Sequence, residues 1–315
     1  MKTKLPIIAL LVGSLWSVGV TAGNEELVKG WYDPQNDWFV MEWVTLRGEK
    51  VSGIYDPPNK VMPVIKAMAA YDSARKDYSY EYEISNLGGK QPLYIPIIEY
   101  RTSIYDYAAP SKEWYISANY RKQNEIHWAK THGEPPGIPV GATERGFSFK
   151  SAGPPAILNS AFLGERRVEY YGPSLEDASN EVNDAYEEVL SGLKKQYPEK
   201  FKKIVLKTVA PGPVPSDFNP LSFLDYIISM KHEASSLGWI TNKGIEMSLD
   251  QKLEAARKKL SAGDTKTAKN ILNALINEIE AQGCETYEGC LKGKHLTPEA
   301  YALLKYNVLY LIERL

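Results

Sequence analysis

The sequence predicts an α+β protein, with an N-terminal antiparallel β-sandwich followed by a C-terminal antiparallel helical bundle. Two observations lead to this fold class. Between residue 24 and about residue 172, short stretches alternate apolar and polar residues, which is the period of a half-buried strand. Beyond about residue 218, apolar residues recur three and four positions apart, which is the period of a helix. A chain of 315 residues accommodates both regions, since a domain has about 150 residues.

The clearest predicted strand is YSYEYEISN, in which Tyr78, Tyr80 and Tyr82 alternate with polar residues. The next predicted strand, PLYIPIIEY, contains prolines that indicate a sheet edge or a bulge. Further short strands are predicted at WYISANY, GFSFKSA and RRVEYYG. These strands predict a β-sandwich domain at residues 23–210, with a helical insertion near 173–203.

The C-terminal helices carry recognisable end signals. Asp264 stands at the N-cap of the helix TKTAKNILNALINEIEAQ, and Gly283 lies just past its end. Ser248 and Gln251 have the spacing of a capping box, which predicts that the preceding helix begins at Ser248. Thr297 is a good N-cap for the last helix.

A proline-rich linker is predicted at residues 211–217, because closely spaced prolines stiffen a chain crossing. The helical bundle then occupies residues 218–315. Trp239 is expected to anchor the first helix to the bundle, although a tryptophan that stacks on a ligand remains an alternative.

The run LGWITNKGIEMSLDQKLEAARKKLSAGDTKTAKNILNALINEIEAQ, with LTPEAYALLKYNVLYLI after it, resembles FIMAH. This small helical module is found at the C-termini of secreted, multidomain prokaryotic proteins. The matching features include the N-K-G-I turn and the A-L-I-N-E-I-E-A-Q helix, and the match covers about a quarter of the chain. The chain departs from the pattern in a cysteine-containing insertion, Gly283 to Lys294. The resemblance implies an extracytoplasmic accessory domain, without catalytic residues to carry over.

The region from YSYEYEISNLGG to IPVGATERGFSFKSAGPPA is similar, more loosely, to the Ig-like N-terminal parts of other secreted prokaryotic proteins. This similarity implies an Ig-like sandwich. The disulfide of immunoglobulin domains is absent, because this region contains no cysteine.

The first 22 residues have the three parts of a secretory signal. Lys2 and Lys4 precede the apolar run PIIALLVGSLWSVGV, and Val20 and Ala22 occupy the small-residue positions before a cut. The apolar run is shorter than the roughly 20 residues that a membrane span requires, so cleavage is favoured over a retained anchor. The mature protein is therefore expected to be secreted, periplasmic or at the cell surface, without a membrane span after cleavage.

The charge balance gives no indication of a nucleic-acid partner. The chain has 37 basic and 39 acidic residues, and loss of Lys2 and Lys4 with the signal makes the formal net charge −4 instead of −2. A mildly acidic protein has no electrostatic reason to bind nucleic acid or an anionic membrane.

The two cysteines, Cys284 and Cys290, are six positions apart in GCETYEGCLKGKH. Outside the cytoplasm, a local disulfide is the favoured interpretation. A zinc site with His295 has only three ligands at unusual spacings, and free thiols are the other alternative.

Motifs for catalysis are scarce. The sequence contains no G-x-S-x-G, H-E-x-x-H, P-loop or G-x-G-x-x-G motif, so we predict no catalytic residue, metal or cofactor. His127 and His132, with Glu125 and Glu134, can form a metal or acid–base site, but two surface histidines in a polar loop are favoured.

The most suggestive stretch is GWYDPQNDWFVMEW. Flat aromatic side chains stack on sugars and peptides, and nearby carboxylates bind hydroxyls or calcium. The favoured interpretation is a strand–turn–strand unit that buries Trp38, Val40 and the neighbours of Glu42 in the sandwich core. The candidate ligand-binding residues are Trp31, Tyr32, Asp33, Asp37, Trp38 and Trp43.

These features predict a secreted or periplasmic, non-catalytic binding or structural protein, whose partner is a protein or a glycan. The alternative is an extracytoplasmic hydrolase that acts on carbohydrate through a pair of carboxylates. A deep cleft with two acids and the tryptophans would favour the hydrolase, whereas a flat aromatic face would count against it. The sequence specifies no oligomeric state.

Overall fold

The structure is a computed structural model, which describes residues 17–22, 25–119, 123–130, 136–165, 167–171, 179–288, 290 and 292–315. The strands are β1 Ser17–Ala22, β2 Glu25–Asp33, β3 Trp38–Val44, β4 Lys50–Asp56, β5 Val61–Asp72, β6 Asp77–Gly89, β7 Leu93–Glu99, β8 Ile104–Ala108, β9 Trp114–Ala118, β10 Glu125–Lys130, β11 Thr143–Ser151, β12 Pro155–Gly164, β13 Arg167–Tyr171 and β14 Ile204–Pro211. The helices are α1 Asn180–Gln196, α2 Pro220–Ser236, α3 Lys243–Ser261, α4 Thr265–Gln282 and α5 Pro298–Ile312, and a short 3-10 helix spans Pro198–Phe201.

The strands form three antiparallel sheets. Sheet A has the order β1-β2-β3-β4-β13, sheet B has the order β5-β6-β11-β8, and sheet C has the order β14-β12-β7-β10-β9. The predicted α+β class is confirmed by these sheets and by helices α1 to α5 in the C-terminal half.

The chain divides into two compact units, each assembled from two separate stretches of sequence. Unit 1 comprises Met1–Asn59 and Arg166–Lys202, and unit 2 comprises Lys60–Glu165 and Lys203–Leu315. The predicted sandwich domain, 23–210, is thus shared between both units, and the predicted linker, 211–217, lies within unit 2. The difference arises because the chain leaves sheet A after β4 and returns to it with β13.

Unit 1 consists of sheet A with α1 packed on one face. The N-cap of α1 is Ser179, whose side chain accepts a hydrogen bond from the Val182 backbone N–H. The buried residues of α1 lie on one stripe and pack against the strands. We call the face of sheet A that α1 covers the inner face. It forms a core with α1, made of Val28, Phe39, Met41, Trp43, Val51, Tyr55, Val182, Ala185, Tyr186, Val189, Leu190 and Leu193. The helix predicted near 173–203 therefore covers a sheet.

Gly30 permits the close approach of α1 to β2. A Cβ atom added at Gly30 would lie 2.7 Å from Val189 Cγ1, 2.7 Å from Met41 Sδ and 3.0 Å from Leu193 Cδ1. These distances are shorter than carbon and sulfur contacts allow. The position thus requires a residue without a side chain.

Unit 2 contains sheets B and C, whose inner faces share one core. Aromatic rings dominate it, and the Trp128 centroid lies 5.5 Å from that of Phe147 and 6.5 Å from that of Tyr82. The hydroxyl of Tyr80 donates to Gly153 O at 2.7 Å, and that of Tyr82 donates to Val209 O at 3.0 Å. Tyr78, Tyr80, Tyr82 and Ile84 are all buried, as the alternation predicts, but Glu83 and Ser85 on the other face are buried too. The alternation of buried and exposed residues therefore holds only for the first part of β6.

The prediction that the prolines of PLYIPIIEY mark an edge or a bulge is wrong for the edge. The bulge alternative agrees with a register shift in the pairing of β7 with β12, where Leu163 pairs with Ile95 and Gly164 with Leu93. β7 lies between β12 and β10 in sheet C, and Pro96 pairs with Phe162 of β12. The pairing between β7 and β10 extends only from Glu99 to Ile97. Pro96 is tolerated in this central strand because it stands just beyond the end of that ladder.

The predicted helix ends are mostly confirmed. Asp264 accepts from the Thr267 N–H at the start of α4, and Thr297 is the N-cap of α5. The start of α3 was predicted too late, at Ser248. The helix begins at Lys243, because the side chain of Asn242 accepts from two backbone N–H groups and provides an earlier cap.

Helices α2 to α5 belong to the same unit as sheets B and C. Ala302 and Tyr306 of α5 are part of the core between the sheets, and Asn307 donates to Pro155 O at 2.8 Å. Trp239 contacts both this core and the core of the helices. The helical region is therefore packed directly on the sheets.

Cys284 and Cys290 form a disulfide, as predicted, and the loop they close lies against sheet B. Arg145 of β11 donates to the Glu288 carboxylate at 2.7 Å, and the Lys66 ammonium lies 4.8 Å from the centroid of the Tyr287 ring. The Tyr287 hydroxyl donates to Glu299 at the start of α5. The loop thus connects a sheet to a helix.

We expect Gly30→Ala to lower the free energy of unfolding by about 1–3 kcal/mol, because the new methyl group overpacks the contact between β2 and α1. Gly88→Ala is the matched control, since the nearest atom to its added Cβ is the flexible Met62 Sδ at 3.2 Å. Urea unfolding of both variants measures the difference. Equal stability of the two variants would contradict the close packing at Gly30.

We expect Glu83→Gln to lower stability at neutral pH by about 1 kcal/mol. Burial raises the pKa of Glu83, but hydrogen bonds from Lys66 and Arg145 outweigh this effect and hold its pKa below the ordinary value. A lowered pKa stabilises the fold above the unfolded-state pKa, and this contribution is lost as the pH falls through the folded-state pKa.

The difference between wild type and Glu83→Gln should therefore shrink as the pH falls below about 4. Glu81→Gln, an exposed position on the same strand face, serves as the control. Denaturant unfolding at several pH values is the measurement. A constant difference from neutral to acid pH would argue against the ionised Glu83 as the cause.

Candidate functional site

The stretch GWYDPQNDWFVMEW forms the hairpin of β2 and β3. Register pairs Asp33 with Trp38 at the turn. The Asp33 side chain accepts from the Gln35 N–H at 2.9 Å and from the Asn36 side chain at 2.7 Å, and Asp37 has a positive φ of 59°. The Asn36 hydrogen bond is the main reason that the pKa of Asp33 lies below its ordinary value. Asp33 thus shapes the turn.

The six predicted ligand-binding residues do not lie together. Residues directly opposite each other on neighbouring strands share a face, and Trp43 pairs with Val28 on the inner face. Trp43 is only 2% exposed, and its ring packs edge-on against Tyr186 of α1. Trp43 is therefore mainly a core residue.

Tyr32 also lies on the inner face, where it belongs to a polar and aromatic cluster near the turn. Its hydroxyl donates to the Asp37 carboxylate at 2.5 Å, and Lys200 donates to the same oxygen at 2.6 Å. Burial, followed by the Asp37 hydrogen bond, raises the pKa of Tyr32. Asp37 raises the pKa of Lys200. This cluster fastens the turn to the 3-10 helix.

Trp31 and Trp38 lie on the opposite, outer face of sheet A, and both are half-buried. The prediction that Trp38 and Val40 point into the core was therefore wrong. Phe39, Met41 and Trp43 are the buried residues of β3. We call the outer residues Trp31, Trp38, Val40 and Ile54 the aromatic face.

Register places these four side chains side by side. Trp31 pairs with Val40, and Val40 pairs with Ile54, so they form one row across three strands. Trp38 is two residues from Val40 on β3 and so lies on the same face. The row thus crosses three strands, with the Trp31 indole at one end.

A depression of about 580 Å³ continues the outer face toward the far end of the strands. Its lining is partly polar, with Lys29, Glu42, Lys50 and Ser52, and partly apolar, with Leu27, Trp43, Val44 and Val51. The Lys29 ammonium lies 5.8 Å from the centroid of the Trp31 ring, which connects the depression to the aromatic face. The sequence analysis did not identify Lys29, Glu42 and Lys50. The available signal was that Lys29 and Glu42 stand two residues from Trp31 and Val40, so that each pair lies on one face of its strand.

The structure describes only two residues of the predicted histidine site, Glu125 and His127. His127 Nε2 lies 2.9 Å from the Glu125 carboxylate, and both side chains are about 15% exposed or less. His132 and Glu134 lie outside the described residues. Glu125 is paired with Glu99 of the neighbouring strand, and Asn159 donates to Glu99 at 3.1 Å.

Within the described residues, no three or more His, Cys, Asp or Glu side chains are grouped so that they can hold a metal ion. Across the same part of the chain, no helix has the length and apolar character needed to cross a membrane.

Comparisons with protein-family models, curated proteins and solved structures found no match to this chain.

Proposed function

We propose that this chain is a secreted or periplasmic, non-catalytic binding protein, and that it binds a glycan on the outer face of sheet A. The observation that carries the proposal is the position of Trp31 and Trp38 on this face. Flat indole rings stack on the C–H faces of sugar rings, and Lys29, Glu42 and Ser52 can hydrogen-bond hydroxyl groups.

A glycan fits this surface better than a protein partner does. The centre of a protein–protein interface is depleted in charged residues, whereas the depression has Lys29, Glu42 and Lys50 beside the aromatic face. A sugar chain presents hydroxyls throughout its length and can use such side chains along with the rings. The same lining argues for binding over hydrolysis, since it contains one carboxylate, Glu42, where most glycosidases use two.

We further infer an Ig-like sandwich for sheets B and C and a FIMAH-like module for helices α2 to α5. Support for the sandwich comes from two antiparallel sheets around one core. Support for the module comes from helix ends at Asp264 and Thr297, and from the resemblance of the sequence. Both assignments fit a protein that acts outside the cytoplasm.

We expect Trp31→Ala and Trp38→Ala each to weaken glycan binding by about tenfold or more, which is about 1.4 kcal/mol of lost stacking. Binding of the purified mature protein to a panel of soluble polysaccharides, measured by affinity electrophoresis and calorimetry, tests this. Both variants should unfold near the wild-type temperature, because the two side chains lie outside the core of unit 1.

Trp43→Ala is the matched control. It should lower stability by about 3–5 kcal/mol, because its indole fills the core. Polysaccharide binding that survives both outer substitutions would contradict the proposed surface, as would a wild-type protein that binds no polysaccharide of the panel.

One observation favours a second candidate function, a hydrolase on the outer face of sheet C. Glu99 and Glu125 are directly opposite on neighbouring strands, an arrangement that destabilises a sheet when both side chains are charged. Asn159 and Arg101 both donate to Glu99, and His127 contacts Glu125. A depression of about 160 Å³ lies between β7, β10 and β12. Two carboxylates near a histidine are suited to acid–base chemistry.

If this candidate is correct, Glu99→Gln and Glu125→Gln should each abolish hydrolysis of a glycoside substrate while the fold stays intact. Reducing-sugar release from the same polysaccharide panel measures the activity. Glu113→Gln, a partly exposed carboxylate of another loop, controls for a change in net charge. Hydrolysis that persists in both variants, or no release by the wild type, rejects the hydrolase.

A further inference from the structure

Strand β1 forms one of the two edges of sheet A and consists of the last six residues of the predicted signal. β1 pairs antiparallel with β2 along its whole length, from Ser17 opposite Trp31 to Ala22 opposite Glu25. A register shift between Val20 and Thr21 marks a bulge near the end of the pair. β2 therefore presents an edge that accepts an extended strand.

Signal cleavage after Ala22 removes this strand from the mature chain. The backbone N–H and C=O groups of β2 that faced β1 then lose their ladder partners. A row of such groups is a template for another strand, and proteins normally cover or blunt it. The mature sheet A is left with a vacated strand position along Glu25–Trp31.

We propose that a single extended segment of a partner protein occupies this vacated position by adding an antiparallel strand to β2. Strand addition derives affinity from main-chain hydrogen bonds and specificity from alternate side chains. The proposal rests on the extracytoplasmic part of the proposed function, because it requires signal cleavage. It does not rest on glycan binding.

The chemistry of the partner segment follows from the residues of β2 that it would face. The inner-face positions of β2 are Val28 and Gly30, and in the full-length chain Val20 and Val18 stand opposite them. A matching segment has small or β-branched residues at two positions separated by one residue. The residue between them, at the place of Gly19, would stand opposite Lys29 on the outer face.

A single strand fits this edge better than a second copy of the chain. Helix α1 packs on β1 as well as on β2 and β3, so it extends over the vacated position. A second copy that paired its own β2 here would bring its own α1 to the same face of the joined sheet. One symmetric register would also place Lys29 opposite Lys29, and like charges directly opposite destabilise a pair.

The first measurement is the mass of the protein purified from the cells that produce it and from their culture medium. This mass should correspond to a chain that begins at Gly23. Hydrogen exchange of β2 amides is then followed with and without the synthetic peptide SVGVTA, which has the sequence Ser17–Ala22. We expect the peptide to slow exchange at alternate β2 residues by about tenfold or more. The control peptide SPGPTA has two prolines in place of Val18 and Val20 and should give no protection.

A cross-linking experiment tests the register. In the mature chain with Lys29→Cys and with oxidised glutathione as the oxidant, a peptide carrying Gly19→Cys should form a disulfide to position 29, because the two positions face each other on one side of the sheet. A peptide carrying Val18→Cys should not, since that position is opposite Gly30 on the other side. The native cysteines do not compete, as both are in the Cys284–Cys290 disulfide.

Several outcomes would overturn the proposal. They are a secreted chain that keeps residues 17–22, β2 amides that are already protected in the monomeric mature protein, and no protection at saturating peptide concentration. Protection without peptide that rises with protein concentration would show a second copy at the edge and reject the partner strand. The Trp31 and Trp38 binding test is independent, so each idea can fail without the other.

Discussion

The carboxylate of Glu299 is the contact on which the arrangement of unit 2 depends. It is 2% exposed, accepts the backbone N–H of Ala67 at 2.8 Å and receives the hydroxyl of Tyr287. Ala67 lies on β5, an edge strand of sheet B, so its backbone N–H has no neighbouring strand to bond within the described part of the sheet. The Glu299 side chain of α5 accepts that hydrogen bond instead. A buried carboxylate without these donors would lower the stability of the fold by several kcal/mol. Strand β5, helix α5 and the disulfide loop therefore depend on each other.

This dependence gives the disulfide a role beyond the loop it closes. A disulfide between residues six apart stabilises only modestly by restricting the unfolded chain. Its larger effect is on Tyr287 and Glu288, which it holds within a loop short enough to present both to the sheet.

The sequence predicted local features well and distant partners poorly. The Asp264 and Thr297 caps, the disulfide and the alternation of Tyr78, Tyr80 and Tyr82 depend on neighbours within a few residues, and all are present. Glu299 accepts from a residue 232 positions away, and nothing near Glu299 in the sequence signals that partner. For the same reason, sequence alone did not indicate that β13 and α1 return to sheet A.

The candidate site shows the same limit within a single strand. β3 has apolar residues on both faces, so its period of two does not specify which face is buried. The helix α1 decides the matter, because it covers Phe39, Met41 and Trp43 and leaves Trp38 and Val40 outside. The number of aromatic residues in the stretch was informative, whereas their division into core and surface required the tertiary contact.

Sheet A thus combines two features, an outer face that contains Trp31 and Trp38 and an edge strand, β1, that pairs with β2. Both involve β2, since Trp31 and Lys29 stand on its outer face and its backbone pairs with β1. A strand added at that edge would place its own outward side chains beside Trp31 and Lys29 and would widen the aromatic face. Occupation of the edge by the proposed partner strand would therefore change the surface at which we propose glycan binding, so the two proposals are coupled through β2.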